Sequence, residues 1–185
     1  MKEPTLSVVV SAFNEEKKIA TCLNSVKWAH EIIFVDNSST DKTVEIARKY
    51  TTKIIKQENN PMSIDLQKNV GFSKATGDWI LSIDADESVS KELQQEIVDA
   101  INKTNEEING YWIPRKNIIF GKWIKYAGWY PDYQMRLFVR GKGKYTAKHV
   151  HEMIQVDGAL GHISSPLDHR NYESCEPEGH TAYPP

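Results

Sequence analysis

Apolar runs recur along the first half of the chain and are separated by longer amphipathic stretches. The runs 6–10 and 32–35 are continuous and rich in β-branched residues, which is typical of strands buried on both faces. Shorter runs at 53–55 and 79–83 have the same character. The pattern therefore predicts four buried strands, each followed by a stretch in which apolar residues have helical spacing.

The stretches between the runs carry residues that begin helices. Asn14 is the predicted N-terminal cap of the first helix, and Thr40 or Asp41 that of the second, because their side chains accept hydrogen bonds from a first helical turn. The third helix is predicted over 63–75 and the fourth over 90–103. This βαβαβαβα order predicts an α/β fold with a Rossmann-like, mainly parallel sheet, right-handed crossovers and helices on both faces.

Two carboxylates follow the fourth predicted strand. Asp84 and Asp86 are separated by one residue, and side chains two apart in an extended backbone point the same way. Ligands of parallel sheets bind beyond the carboxyl ends of the strands, where the polar segments 11–14 and 36–39 also fall. Because converging carboxylates repel each other and hard oxygen ligands suit Mg²⁺ or Mn²⁺, the pair predicts a divalent metal site. A solvated turn is the alternative.

The pattern changes after Gly110. Short aromatic segments broken by Gly and Pro replace the regular alternation, and they predict a short antiparallel portion laid over the front of the sheet. Residues 175–185 are polar and rich in Pro, which predicts a disordered or non-native tail. The chain is predicted to form one domain over 1–174, in two halves of about 1–105 and about 106–174.

Composition narrows the class of protein. The 185 residues are 39% hydrophobic and 26% charged, which is ordinary for a globular protein. A net charge of −2 without a dense Lys/Arg tract predicts no nucleic-acid partner. Cys22 and Cys175 lie far apart, so neither a disulfide framework nor a zinc site is predicted. The absence of a signal peptide and of an apolar run of roughly 18–20 residues predicts a cytoplasmic protein.

Seven segments together carry a family resemblance. They are 6–16, 35–43, 68–71, 75–87, 133–138, 149–152 and 167–172. In order and spacing they resemble the inverting glycosyltransferases of family 2, which have the GT-A fold, and within them the lipopolysaccharide-core β-glucosyltransferase-like group. Two positions depart from that pattern, because Ser11 replaces a common Pro and Asn37 replaces a common second Asp. Members of the group usually continue well beyond the last segment, so a truncated chain is expected.

The resemblance implies a reaction. A hexose, with glucose as the first choice, would move from a UDP-sugar donor to a cell-envelope glycan or lipopolysaccharide-core glycolipid acceptor, with inversion at the sugar. The reaction would require Mn²⁺ or Mg²⁺. The half over about 1–105 would bind the nucleotide and the half over about 106–174 the acceptor. A glycolipid acceptor would place the protein peripherally at the inner face of the plasma membrane.

The resemblance also implies which residues contact the donor. Asp36 would accept a hydrogen bond from the imide N–H of uracil, or would instead cap the turn that follows it. The other candidates have structural alternatives as well: a core position for Phe13, a solvated helix surface for Lys68 and an ion pair for Arg136. The predicted nucleotide-sugar-binding residues are Ser11, Phe13, Glu15, Asp36, Lys68, Asp84 and Arg136.

Metal and base candidates complete the predicted site. Asp86 is the predicted metal ligand, with His169 joining it from a late loop unless it is a surface histidine, and Asp84 would contact the ribose or a metal-bound water. Inversion requires a general base on the sugar face opposite the leaving group, which places it in the aromatic half. Glu152 is the predicted base and Asp132 the second candidate, and a solvated acid is the alternative for both.

An aromatic and basic cluster in the second half has three possible roles. Its rings would stack on acceptor sugars, its lysines would favour an anionic lipid surface, or half of its rings would pack in the core. The sequence does not decide between these roles. The cluster comprises Trp123, Tyr126, Trp129, Tyr130, Lys122 and Lys125.

Two other classes of protein remain open. A haloacid-dehalogenase-type phosphatase also carries Asp-x-Asp after an apolar strand, although that motif normally opens its catalytic domain. A non-catalytic sugar-nucleotide or glycan-binding module is the second, and it would fit a truncated chain. Phosphate release would reveal the first, and binding without turnover the second. A Rossmann dehydrogenase is disfavoured because no Gly-x-Gly-x-x-Gly follows the first strand.

Overall fold

A computed structural model describes residues 3–60, 64–103, 107–146 and 153–172. Within these ranges no helix is long and apolar enough to cross a membrane. The helices are α1 (Ile19–Ser25), α2 (Thr43–Ala47), α3 (Ile64–Lys74) and α4 (Lys91–Asn102). The strands are β1 (Leu6–Ala12), β2 (Glu31–Asp36), β3 (Lys53–Lys56), β4 (Trp79–Asp84), β5 (Glu87–Ser88), β6 (Ile108–Ile119), β7 (Lys122–Trp123), β8 (Asp132–Val139), β9 (Gly143–Tyr145), β10 (Ile154–Val156), β11 (Ala159–His162) and β12 (Leu167–Tyr172).

Four parallel strands form the first half of the main sheet. Their order is β3-β2-β1-β4, so β1 has a hydrogen-bonded neighbour on each side. All seven residues of β1 are buried, because helices also cover both faces of this strand. The predicted parallel sheet is therefore confirmed, and continuous apolar runs mark its inner strands because neither of their faces is exposed to water.

The second half of the chain extends the same sheet. β8 pairs antiparallel with the open edge of β4, and the order continues as β8-β6-β12-β5. The predicted antiparallel pairing is found for β8 with β4 and with β6, whereas β12 and β11 pair with β6 in parallel, and these strands extend the sheet rather than lie over its front. The physical reason is that β4 leaves an unpaired row of backbone groups at its edge, and β8 satisfies that row.

The sheet curls back on itself. Only Ala85 and Asp86 separate β4 from β5 along the chain, although β8, β6 and β12 lie between these strands in the sheet. Such a short connection is possible only if the far edge of the sheet returns to the end of β4. The curl therefore brings β12 close to Asp86.

Apolar side chains fill both faces of the parallel strands. On one face, α1, α2 and α4 pack around a cluster that contains Val8 and Leu81. On the other face, α3 packs through Phe72 against Val9 and Ile33. Neighbouring residues of β1 thus point to opposite cores, as the period of two in a strand requires. Helices on both faces of the sheet were predicted and are confirmed.

The residues predicted to cap α1 and α2 make different contacts in the structure. Asn14 does not cap α1; its φ is 55°, and its Oδ1 accepts a hydrogen bond from the N–H of Thr40 at 2.8 Å. Lys42 occupies the cap position of α2, but the side chain that accepts from its first turn is that of Asp41, whose Oδ1 accepts from the N–H of Thr43 at 2.9 Å. Ser90 caps α4, which therefore begins close to the predicted start at residue 90. The polar side chain of Asn14 therefore links the loop after β1 to the loop after β2.

Glu31 joins several elements at the opposite end of the sheet. Its Oε1 accepts hydrogen bonds from the N–H and Oγ1–H of Thr76, at 2.6 and 2.9 Å, and it also contacts the Ser7 hydroxyl. Its Oε2 pairs with the Lys53 ammonium. Burial alone would raise the pKa of Glu31, but the hydrogen bonds from Lys53, Ser7 and Thr76 outweigh burial and lower the pKa to about 2. The ionised carboxylate therefore stabilises this end of the fold.

Glu31→Gln is expected to lower the free energy of unfolding at pH 7 by about 1.5–3 kcal/mol, because it removes hydrogen bonds to a charged group. A lowered folded pKa contributes stability above the unfolded pKa, and that contribution is lost as the pH falls from about 4.5 towards about 2. Urea unfolding across this range should show the wild type and Glu31→Gln converging at acid pH. The exposed Glu107→Gln is the control, and a constant difference at every pH would contradict the expectation.

Candidate functional site

The polar ends of three parallel strands meet at one edge of the sheet. Ser11 on β1 is aligned with Asp84 on β4, and Ala12 with Asp36 at the end of β2. Three residues that the sequence assigned to nucleotide-sugar binding, Ser11, Asp36 and Asp84, are therefore brought to one edge. This edge is where parallel sheets bind their ligands.

Asp84 lies between two cations. Its Oδ1 is 2.6 Å from Nζ of Lys68, and its Oδ2 is 2.7 Å from Nη2 of Arg136. The same Nη2 lies 2.7 Å from Oε1 of Glu87, while Oε2 of Glu87 accepts a hydrogen bond from the backbone N–H of Asp84 at 2.8 Å. Lys68, Arg136 and Glu87 are all buried, so these four residues form a largely desolvated ionic network.

The network sets the protonation of its members. Burial alone would raise the pKa of Asp84, but Arg136 and Lys68 hold that pKa well below its usual range. For Glu87 burial dominates and raises the pKa, although Arg136 acts in the opposite direction. The two carboxylates outweigh the burial of Arg136 and raise its pKa further. Glu87 was not predicted, because an acidic residue directly after Asp86 is equally typical of a solvated turn.

Asp84 and Asp86 contact different partners. β4 ends at Asp84 and the chain turns at residues 85–86, so the alternation of an extended backbone stops before Asp86. Lys68 and Arg136 compensate the charge of Asp84. The geometry favours the ion pair of the two alternatives for Arg136, and it directs Lys68 into the site rather than towards solvent.

Asp86 instead faces His169. Oδ2 of Asp86 is 3.3 Å from Nε2 of His169, whose side chain is 12% exposed. β12 is paired with β5, which aligns His169 with Glu87, and the N–H of Arg170 donates to the carbonyl of Asp86 at 3.0 Å. His169 therefore reaches the site from a strand of the curled sheet, and not from a loop.

The Asp86–His169 pair fits a divalent cation. Two neighbouring ligands of an octahedral ion, each about 2.1 Å from it, lie about 3 Å apart, and Oδ2 and Nε2 are 3.3 Å apart. In the part of the chain that the structure describes, no three His, Cys, Asp or Glu residues gather into a metal site. Mg²⁺ is usually held by one or two carboxylates with substrate phosphates and water, so two protein ligands suffice when a diphosphate is present.

Asp36 and Asn37 line the other side of the edge. Asp36 is 2% exposed, and its Oδ1 accepts a hydrogen bond from the N–H of Ser39 at 3.0 Å, which is the turn contact considered as an alternative. Nδ2 of Asn37 donates to Oγ of Ser11 at 3.0 Å, while its buried Oδ1 has no hydrogen-bond partner among the described residues. Phe13 is 41% exposed and is therefore not a core residue.

The remaining predicted acids are paired with cations or lie outside the described residues. Glu15 is 3.1 Å from Lys18, and burial raises the pKa of Glu15 even though Lys18 lowers it. Asp132 accepts hydrogen bonds from Nε and Nη2 of Arg115 at 2.8 and 2.7 Å. Burial alone would raise the pKa of Asp132, but Arg115 lowers it, so the carboxylate is a weakened base. Glu152 lies outside the described residues.

The aromatic cluster is largely open to solvent. Tyr126 is 83% and Trp129 46% exposed. The ring of Trp123 packs edge-on against Tyr130 with centroids 5.2 Å apart, and Nζ of Lys125 lies 4.1 Å from the centroid of the Trp123 ring. The exposed rings form a surface beside the Asp132 end of β8, rather than a part of the core.

Relatives of known name match the chain. A sequence model described as Glycosyl transferase family 2 matches residues 7–159. The lipopolysaccharide core biosynthesis glycosyltransferase LpsC of Rhizobium meliloti is 30% identical over 165 residues, which cover 84% of this chain and 59% of LpsC. An uncharacterized glycosyltransferase of Rickettsia typhi is 44% identical over 93 residues, which cover 50% of this chain and 31% of that protein. The chain thus spans less than two thirds of the length of these relatives.

Solved structures share the fold. The structure of S. aureus TarS 1–349 in complex with UDP-GlcNAc superposes with a TM-score of 0.67 at 18% identity, covering 92% of this chain and 59% of that one. The complex of the same TarS fragment with UDP has a TM-score of 0.55 at 27% identity, covering 66% of this chain and 38% of that one. The predicted Rossmann-like GT-A fold is confirmed by these likenesses.

Proposed function

Because this chain belongs to glycosyl transferase family 2, we propose that it transfers a hexose from a UDP-sugar to a cell-envelope glycan, with inversion at the sugar. The observation that carries the proposal is the sheet edge at which Asp36, Asp84 and Asp86 gather. At this edge Asp36 is a buried hydrogen-bond acceptor for the nucleotide base, and Asp84 belongs to a charge-compensated ionic network. Asp86 and His169 form the candidate cation site for the diphosphate. Membership of the family leaves the phosphatase alternative without support.

The donor is a UDP-sugar, with glucose as the first candidate for the hexose. TarS, which is 27% identical over 66% of this chain, is solved with UDP. Asp36 supports the choice of uracil, since an ionised carboxylate only accepts hydrogen bonds and the uracil imide donates one. The exposed ring of Phe13 lies at the same edge and is available to stack on the base.

Asp86 and His169 are the residues that would hold a divalent cation. Mn²⁺ or Mg²⁺, when bound there, stabilises the negative charge that develops on the departing diphosphate. Lys68 and Arg136 each contact one oxygen of Asp84 and keep this carboxylate ionised. Their positive charges also weaken the repulsion between Asp84 and the negatively charged donor. Asp84 then remains an acceptor at the strand end, in reach of the ribose side of the nucleotide.

The acceptor is a lipopolysaccharide-core or related envelope glycan. LpsC, named for lipopolysaccharide core biosynthesis, is 30% identical over 84% of this chain and supports this choice. The exposed rings of Tyr126 and Trp129 are suited to stacking on sugars, and the neighbouring Lys122 and Lys125 to an anionic glycolipid at the inner face of the membrane. Glu152 is the general base that removes the proton of the acceptor hydroxyl.

A non-catalytic binding module is the second candidate, because the chain covers only 59% of LpsC. Such a module would bind UDP-sugars through the same Asp36 and Asp86 edge without transferring the sugar. Binding measurements therefore test the donor site for both candidates, and a transfer assay separates the two.

The donor site is tested by titrating UDP into wild type and Asp86→Asn, each with Mn²⁺ and with EDTA. Wild type should bind UDP at least about tenfold more tightly with Mn²⁺, because a cation held by Asp86 and His169 would offset the negative charge of the diphosphate. Asp86→Asn should lose most of this difference. Asp99→Asn, which changes an exposed carboxylate of α4, is the matched control and should respond as wild type does.

CDP tests the base contact in the same titration. It should bind wild type about tenfold or more weakly than UDP, since a hydrogen bond to a charged group contributes about 1.5–3 kcal/mol and N3 of cytosine carries no hydrogen. Equal UDP affinity under all conditions would refute the cation site at Asp86. Tighter binding of CDP than of UDP would refute the role of Asp36.

A further inference from the structure

Asn117 links three parts of the site through one amide group. It lies on β6, is 4% exposed, and is aligned with His169 across the β6–β12 pair. Its Oδ1 is 2.7 Å from Nδ1 of His169. Its Nδ2 is 3.3 Å from the carbonyl oxygen of Trp129 and 3.5 Å from Oδ2 of Asp132. The amide therefore stands between the Asp86–His169 pair and the aromatic surface.

The partners of Asn117 determine how its amide is oriented. The carbonyl oxygen of Trp129 and the carboxylate of Asp132 can only accept hydrogen bonds, so the NH₂ group of Asn117 faces them. The carbonyl Oδ1 then faces His169. Because Oδ1 is also only an acceptor, Nδ1 of His169 carries the hydrogen of their 2.7 Å contact.

This assignment leaves Nε2 of a neutral His169 with a free lone pair. Nε2 is the nitrogen that lies 3.3 Å from Oδ2 of Asp86. Without Asn117 the imidazole would be free to carry its hydrogen on Nε2, and its ring would lose the contact that fixes its rotation. Histidine ligands of metals in proteins commonly have such a partner on the second ring nitrogen.

We propose that Asn117 is a positioning residue that holds His169 in the tautomer and orientation needed to bind a divalent cation together with Asp86. The inference rests on the proposed cation site, and it adds Asn117 as the residue that fixes His169 in the metal-free protein. It also connects that site to the acceptor side, because the same amide donates to the backbone of Trp129.

The test compares Asn117→Leu, Asn117→Asp and the wild type. Leu has a similar size but offers no acceptor to Nδ1–H, so the affinity for Mn²⁺ in the presence of UDP should fall about 10–100-fold. Asp retains the acceptor and should keep a clearly higher affinity than Leu. Asn109→Leu is the matched control, because Asn109 lies on the same strand and donates to the carbonyl of Asp157, away from His169.

Mn²⁺ binding is measured by the loss of the free-ion signal in electron paramagnetic resonance, and thermal unfolding of the metal-free variants serves as the check on folding. Wild-type affinity in Asn117→Leu, or equal losses in Leu and Asp, would overturn the proposal. So would a loss in Asn109→Leu as large as that in Asn117→Leu.

A second readout needs no metal. Nitrogen NMR of histidine-labelled protein, recorded at a pH at which the imidazolium signals have disappeared, reports which ring nitrogen carries the hydrogen. The His169 signal, assigned from its absence in His169→Gln, should show the Nδ1–H form in wild type and shift towards Nε2–H in Asn117→Leu. The Nε2–H form in wild type, or an unchanged signal in Asn117→Leu, would overturn the role of Asn117. A wild type that binds no Mn²⁺ with UDP would refute the cation site alone.

Discussion

Replacing Arg136 by Met is expected to lower the free energy of unfolding at pH 7 by about 3–5 kcal/mol, because it leaves the buried Glu87 carboxylate without its cation, while Asp84 keeps Lys68. The side chain of Glu87 is completely buried, and Nη2 of Arg136 is 2.7 Å from both Glu87 and Asp84. Met retains much of the volume of Arg, so the loss reports on charge rather than on a cavity. Guanidinium unfolding followed by tryptophan fluorescence measures the effect.

The pH dependence of unfolding and the additional substitution Glu87→Gln test whether the unpaired charge of Glu87 causes the loss of stability. Burial already raises the folded pKa of Glu87, and loss of Arg136 should raise it further. A raised folded pKa favours the folded state at low pH, so the deficit of Arg136→Met should shrink on acidification. Adding Glu87→Gln should recover part of the lost stability, since it removes the unpaired charge.

Arg140→Met provides the matched control for the same replacement. Arg140 follows β8 and donates one hydrogen bond from Nε to the carbonyl of Gly77 at 2.7 Å. Its loss should cost about 1 kcal/mol. Arg136 would not be the centre of the ionic network if the two Met variants were equally stable.

Glu152→Gln is expected to reduce transfer to the acceptor by about 10²–10⁴-fold while UDP affinity stays nearly unchanged, because a general base acts on the acceptor hydroxyl and not on the nucleotide. Three acids among the described residues are instead engaged by cations. Asp84 and Glu87 are engaged by Arg136, and Asp132 by Arg115. A carboxylate paired in this way is a weaker proton acceptor than an unpaired one.

Asp132→Asn is the variant against which Glu152→Gln is judged. Both replace an acid by its amide, but the Asp132 carboxylate is held by Arg115 and its pKa is lowered, so transfer should fall much less. Sugar transfer to the acceptor and the affinity for UDP are measured for both variants. A larger loss of transfer in Asp132→Asn than in Glu152→Gln would assign the role of general base to Asp132. Loss of UDP binding in Glu152→Gln would identify Glu152 as a structural residue.

The local pattern of residues was sufficient to determine the parallel half of the fold. β1 and β2 are buried on both faces, and such strands leave continuous apolar runs that need no knowledge of their partners. The start of α4 near residue 90 was also predicted from local sequence, and there the Ser90 hydroxyl accepts a hydrogen bond from the N–H of Leu93, only three positions away. The position of Asp36 and Asp84 at one edge follows as well, because parallel strands all end on the same side of the sheet.

Only the tertiary structure decided which side chains meet at that edge. Asp84 pairs with Lys68 and Arg136, and Asp86 faces His169, which Asn117 orients from β6. These contacts depend on the order of strands in the sheet and on its curl, and neither property is contained in the periodicity of a single segment. The alternation of β4 ends at Asp84, so it does not determine the partner of Asp86. Local sequence thus determined the strands and the edge at which they end, whereas the order of the strands and the curl of the sheet determined the partners of each carboxylate.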